Sequence, residues 1–163
     1  MPSHVKPIPD GYHSITAHLT VRDAKSALEF YKKALGAQVQ NVATMPDGKV
    51  MHATMKIGDS IIMLNDEFPE MGGSPAPRGE ASGITLHVYV DNVDNLFKQA
   101  TGAGATVKMP LMDQFWGDRY GIVMDPYGFK WSMATHIKDL SPEEMKRAMD
   151  DAMKQMPQQK KTA

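Results

Sequence analysis

The chain has 163 residues, with 18 Lys and Arg against 19 Asp and Glu for a net charge of −1. That length suits one domain or two small modules sharing a core, and near-neutral charge without basic blocks argues against non-specific nucleic-acid binding. Apolar residues at 42% are a globular share, no apolar run approaches the ~20 residues of a membrane span, and Met1-Pro2-Ser3-His4-Val5-Lys6-Pro7 lacks the apolar stretch of a secretion signal, so a soluble, cytoplasmic protein is expected.

The first strand is predicted over 15–23, where Ile15-Thr16-Ala17-His18-Leu19-Thr20-Val21-Arg22-Asp23 alternates apolar and polar. The pattern returns at Ile84-Thr85-Leu86-His87-Val88-Tyr89-Val90-Asp91-Asn92, an offset of 84 − 15 = 69 residues. A helix follows each strand. Asp23 caps the first, Ala24, Ala27, Leu28, Tyr31 and Leu35 form its apolar stripe, and Gly36 ends it. Asn92 caps the second, with Val93, Leu96, Phe97 and Ala100 as the stripe. Three strands then complete each half, over 37–44, 50–57 and 60–65, and again over 105–108, 119–124 and 129–135.

The fold class is therefore α+β, built of tandem βαβββ modules. The first module spans 12–68 and the second 83–136. Between them, 69–82 reads as a linker rich in Pro and Gly. The segment 137–163 holds a helix that starts at Ser141-Pro142-Glu143-Glu144 and a tail from Gln158 read as disordered. Met145, Met149 and Met153 recur every four residues along that helix. They form either a stripe docking on the protein's own core or a face for a partner or second subunit.

Strand alternation sorts the side chains. Ile15, Ala17, Leu19 and Val21 are expected to face the helices, as are Ile84, Leu86, Val88 and Val90, together with Met51, Ala53, Met55 and Ile57. The opposite faces carry Thr16, His18 and Thr20; Thr85, His87 and Tyr89; His52, Thr54 and Lys56; and Lys130, Ser132 and Ala134. This small, aromatic, hydrogen-bonding set suits a cavity wall better than a solvated sheet face. The absence of cysteine excludes thiolate chemistry and Cys-ligated metals. The 14 methionines are core filler or the lining of an adaptable pocket.

Several motifs resemble one family. They are Leu19-Thr20-Val21-Arg22-Asp23, Leu28-Glu29-Phe30-Tyr31-Lys32-Lys33-Ala34-Leu35-Gly36, Gly58-Asp59-Ser60-Ile61-Ile62-Met63-Leu64, Val90-Asp91-Asn92-Val93-Asp94 and Asp125-Pro126-Tyr127-Gly128-Phe129-Lys130-Trp131. Over about 12–136 the chain resembles the vicinal oxygen chelate superfamily of glyoxalase I, extradiol dioxygenases and bleomycin- and fosfomycin-resistance proteins. The stretches 65–70 and 113–119 resemble its PhnB-like branch. The resemblance implies a cupped, half-open barrel and a homodimer. It also implies metal ligands, His or Glu, on the first and last strands of each module. Carried onto this sequence those positions are Thr16, Ile62, Thr85 and Ser132, none a competent ligand.

The candidate ligand-binding residues are His18, His52, Thr54, His87, Tyr89, Gln114, Trp116, Arg119 and Ser132. The histidines offer hydrogen bonds; in the 113–119 loop Trp116 offers stacking, Arg119 an anion clamp and Gln114 orientation. Structural alternatives stand beside these: Arg119 pairing with Asp113 or Asp118, Trp116 plugging the core, and His4, His13 and His136 lying on the surface. Asp66, Glu67 and Glu70 are acid–base candidates or plain solvated acids. The leading expectation is a small-molecule-binding protein with no cofactor, of the sequestering or carrier sort. The alternative is a lyase or isomerase with a divalent metal at a displaced His18/His52/His87 site, with Glu67 as a candidate further ligand. A third possibility is an interaction module built on the Met145/Met149/Met153 helix.

Overall fold

Asp23 accepts a hydrogen bond from the Ser26 N–H at 3.0 Å, and Asn92 accepts one from the Asn95 N–H at 3.0 Å. Both helices thus begin at the residues whose short side chains satisfy an orphan N–H of the first turn. The computed structural model describes residues 6–81 and 83–155. In chain order its elements are β1 (His18–Val21), α1 (Ala24–Leu35), β2 (Gln38–Thr44), β3 (Val50–Ile57), β4 (Ser60–Asp66), β5 (Thr85–Tyr89), α2 (Val93–Gly102), β6 (Thr106–Asp113), β7 (Asp118–Met124), β8 (Lys130–His136) and α3 (Pro142–Gln155). They form two four-stranded sheets, ordered β1-β4-β3-β2 and β5-β8-β7-β6. In each, the first pair is parallel and the other two are antiparallel. The tandem βαβββ architecture is present.

The repeat extends to single hydrogen bonds. The Ala24 N–H donates to Asp66 Oδ1 at 2.8 Å, and the Val93 N–H donates to Thr135 Oγ1 at 2.8 Å. Both ends move by the same offset, since 24 + 69 = 93 and 66 + 69 = 135. Each module fastens the start of its helix to the end of its last strand.

The modules meet through their helices and one buried carboxylate. Tyr31 of α1 is fully buried and donates its hydroxyl to Asp125 Oδ2 at 2.7 Å. Trp131 Nε1 donates to the same oxygen at 2.9 Å. Asp125 Oδ1 accepts from the Tyr127 and Phe129 N–H groups at 2.9 and 3.0 Å. The carboxylate thus ties the β7–β8 turn to the other module's helix. Across α1 and α2, Gln99 Nε2 donates to the Lys33 carbonyl at 2.8 Å.

Four expectations change. Strand β1 begins at His18, and its predicted N-terminal end overhangs the sheet: Ile15 is 90% exposed and Ile84 57% exposed, so neither faces a helix. Met51 is also exposed, because the β2–β3 register shifts between Ala43 and Thr44 beside it. Strand β6 runs on to Asp113 through Pro110. It is an edge strand with register shifts on both sides of Met109, which accommodates a residue without an N–H. The stretch 113–119, read as a loop, is therefore a tight hairpin turn between β6 and β7.

The last change concerns α3. Its start is as predicted: the Ser141 N–H donates to Glu144 Oε2 at 2.8 Å, and the Glu144 N–H donates to Ser141 Oγ at 3.2 Å, a capping box. No residue of α3 is buried, so the methionine stripe does not dock on the protein's own core. Met149 and Met153 are open. The expectation of a disordered tail from Gln158, like that for His4, lies outside the described residues. Among those described, no helix is long and apolar enough to cross a membrane.

Candidate functional site

Register decides which side chains share a face. His18 lies beside Met63 on β4, which lies beside Thr54 on β3. Thr20 lies beside Asn65. These residues and His52 occupy the face of the first sheet opposite α1. In the second sheet, His87 lies beside Ser132 and Ser132 beside Ile122; Tyr89 lies beside Ala134 and Ala134 beside Tyr120; Asp118 lies beside His136.

The second face is the more fully built. Asp118 is buried at 3% exposure, and three side chains converge on its carboxylate. Tyr89 donates its hydroxyl to Oδ2 at 2.8 Å and Trp116 Nε1 donates to the same oxygen at 3.1 Å. His136 Nδ1 lies 2.8 Å from Oδ1, while its Nε2 lies 2.9 Å from Asp139. Burial works to raise the Asp118 pKa, but hydrogen bonds from His136, Tyr89 and Trp116 outweigh it and hold the carboxyl below its ordinary value. The His136 pKa is raised, by Asp139 first and Asp118 second. The Tyr89 phenol is raised by its bond to Asp118. Above this carboxylate stands a wall of rings. Tyr89 meets His87 edge-on at 4.4 Å, His87 stacks near Tyr120 at 6.0 Å, and Tyr120 meets Trp116 edge-on at 5.4 Å. His87 Nδ1 lies 2.7 Å from Ser132 Oγ.

On the first face, His18 and His52 meet edge-on with centroids 5.6 Å apart. The His18 pKa is lowered, by burial first and the neighbouring imidazole second. Thr20 donates to Asn65 Oδ1 at 3.2 Å. A crevice of about 660 Å³ lies beside the open edge of β5, lined by His87 and Tyr89, by Thr16 and His13, and by Ile61 of β4.

Of the sequence candidates, His18, His52 and Thr54 share the first face, and His87, Tyr89, Trp116 and Ser132 share the second. Gln114 stands apart in the hairpin turn, beside a groove against α3 that also holds Phe115 and Arg147. Arg119 is on the helix side. It holds both oxygens of Asp94 at 2.8 Å and reaches Asp113 at 3.0 Å, locking the hairpin to the start of α2. Asp66 is a backbone anchor for Ala24 and Val50, and Glu67 is engaged by Arg78 and the Ala76 N–H, which fastens the stretch read as a linker. His136 is exposed, as expected, but it is engaged by Asp118 and Asp139. Sequence reasoning missed Asp118 and Tyr120. Strand alternation puts Asp118 and Tyr120 on the face of Ile122, but the sequence reading began that strand at 119 and did not sort its side chains.

The positions where the resemblance implies metal ligands do not fit an ion. Ile62 pairs with Met55, is buried, and faces α1 rather than the polar face, so it was misassigned by one residue of register. Ser132 is engaged by His87, and Thr16 and Thr85 offer only hydroxyls. The displaced three-histidine site is not assembled either: His18 and His52 belong to one sheet and His87 to the other. Among the described residues no three His, Asp or Glu side chains group to hold a metal.

Comparison with known proteins gives a consistent picture. The family described as Glyoxalase/Bleomycin resistance protein/Dioxygenase superfamily matches residues 11–133. An uncharacterized protein of Mycobacterium bovis is 41% identical over 139 residues, covering 83% of this chain and 91% of that protein. The crystal structure of TioX from Micromonospora sp. ML1 aligns with a TM-score of 0.60 at 26% identity, over 77% of this chain and 100% of that one. A PhnB protein from Bacillus cereus aligns with a TM-score of 0.61 at 19% identity, over 76% and 99%.

Proposed function

The chain belongs to the glyoxalase/bleomycin resistance/dioxygenase superfamily, and from that premise we propose that it is a small-molecule-binding member whose ligand lies on the face of the second sheet. The supporting observation is the ring wall of His87, Tyr89, Tyr120 and Trp116 above the satisfied Asp118 carboxylate. Tyr89 and Trp116 are held by Asp118, and His87 by Ser132. The wall is thus pre-organised, and a flat ligand gains contact area without first ordering the site. A planar or amphipathic molecule fits such a wall. A strongly cationic drug gains little from a chain of net charge −1.

The same reading takes the protein as a homodimer in the cytoplasm. Ile15, Ile84, Val107 and Met112 leave large apolar groups open on or beside the sheets, and a second copy would cover them. Sedimentation should give twice the chain mass.

The reading is tested by melting the protein with a planar cation, acridine orange, and a planar anion, 8-anilinonaphthalene-1-sulfonate. A ligand that binds only the folded form raises the melting temperature. At least one is expected to do so in the native protein and not in Trp116→Ala. No shift with either, or an equal shift in the variant, contradicts the proposal.

A further inference from the structure

The first sheet presents two imidazoles and a thioether on one face, with no acidic partner among them. His18 stands on β1 and His52 on β3. Their rings lean toward each other over β4, where Met63 and Asn65 occupy the same face. Asn65 has its carbonyl oxygen accepting from Thr20 and its Nδ2 donating to the Asp66 carbonyl, and it also hydrogen-bonds one side of His18, whose other ring nitrogen stays open to an ion. Met63 has no such duty. It lies directly beside His18 in the β1–β4 ladder and is half-buried.

Geometry limits what such a pair can hold. With metal–nitrogen bonds of about 2 Å and the ring centre about 1 Å behind the ligating nitrogen, two imidazoles on one ion have centroids no more than about 6 Å apart. The observed 5.6 Å already lies inside that limit. The donor set then selects the ion. Zinc, nickel and iron call for three or four nitrogen, thiolate or carboxylate ligands, and among the described residues no third His, Asp or Glu joins this pair. Two neutral imidazoles with one thioether suit a soft, low-coordinate ion.

We propose that His18, His52 and Met63 form a binding site for one monovalent copper ion on the first sheet. The site is separate from the ring wall of the second sheet. It gives the chain a copper-holding capacity alongside small-molecule binding. Ligation draws the two rings from their edge-on contact onto a common ion, and the open face lets the ion enter and leave.

The test is an anaerobic titration of the full chain with copper(I) held by bicinchoninate, whose colour reports copper lost to the protein. One copper per chain is expected to leave the chelator. His18→Ala and His52→Ala should each abolish the transfer while keeping the native melting temperature. Met63→Leu, which keeps the volume, should weaken binding and remove the copper–sulfur signal from the X-ray absorption spectrum. The methionines of α3 are the control: Met145→Leu, Met149→Leu and Met153→Leu combined should leave the transfer intact. Copper that stays with the chelator, transfer that survives both histidine variants, or transfer lost in the α3 variant would each overturn the proposal.

Discussion

The two modules place different side chains at the same three positions of one ladder. In the first, His18 sits beside Met63, with His52 reaching in from the next strand. In the second, His87 sits beside Ser132, with Tyr120 reaching in. The repeat offset relates the pairs directly, since 18 + 69 = 87 and 63 + 69 = 132. Backbone and register are shared, so the difference lies in three side chains. His18 faces another base, which helps lower its pKa. His87 faces a hydroxyl 2.7 Å away and a phenol ring. One histidine is left with a nitrogen for a ligand; the other is fixed as part of a wall. A duplicated scaffold can hold two unlike sites because strand register, not residue identity, sets where side chains point.

The largest expected effect lies in how each module fastens its helix. Asp66 anchors two buried N–H groups, those of Ala24 and Val50, whereas Thr135 anchors only that of Val93. Asp66→Ala should cost about 4 kcal/mol and Thr135→Ala about 1–2 kcal/mol, each buried orphan donor being worth roughly 1–3 kcal/mol. Equal losses in urea unfolding would show that the modules are fastened alike. Next comes the link between them. Tyr31→Phe removes one of four hydrogen bonds to the buried Asp125 and should cost about 2 kcal/mol, as hydrogen bonds to charged groups do. No change in the unfolding midpoint would mean that the tyrosine bond is dispensable.

Much of this was legible in the sequence, and the reasons differ by element. The I-T-x-H repeat fixed two strands, and Asp23, Asn92 and Ser141 marked three helix starts, because periodicity and capping are local signals. The Met145/Met149/Met153 stripe gave the helix but not its partner, since amphipathicity does not say what covers a face. Of the two readings of Arg119 the pairing with Asp113 is the one present, while its second partner, Asp94, went unforeseen because it comes from the start of α2, 25 residues away. Asp118 was read only as a partner for Arg119, because its actual partners, Tyr89 and His136, come from other strands.

Smaller effects follow from charge. His136 has a raised folded pKa, so its contribution to stability is complete below the unfolded value near 6.5 and fades as pH rises through the folded one. Asp118 has a lowered pKa, so its contribution is present above about 3.9 and lost as pH falls through its folded value. The cluster should therefore be tightest between about pH 4 and 6.5. By NMR titration, His136 should titrate above that ordinary value in the native protein and fall back toward it in Asp118→Asn. His18 should titrate below it, rising when His52 becomes Ala. An identical midpoint for His18 in both proteins would remove the contrast between the two faces.

The account rests on the ring wall receiving the ligand, and the protein's two tryptophans read this directly. Trp116 stands in the wall, and Trp131 is buried beneath it on the helix side at 2% exposure. In a nitrogen-15 spectrum each gives its own indole signal. Titration with acridine orange or 8-anilinonaphthalene-1-sulfonate should move the Trp116 signal in a saturable way and leave that of Trp131 nearly in place. A bound dye that leaves the Trp116 indole unmoved would contradict the account.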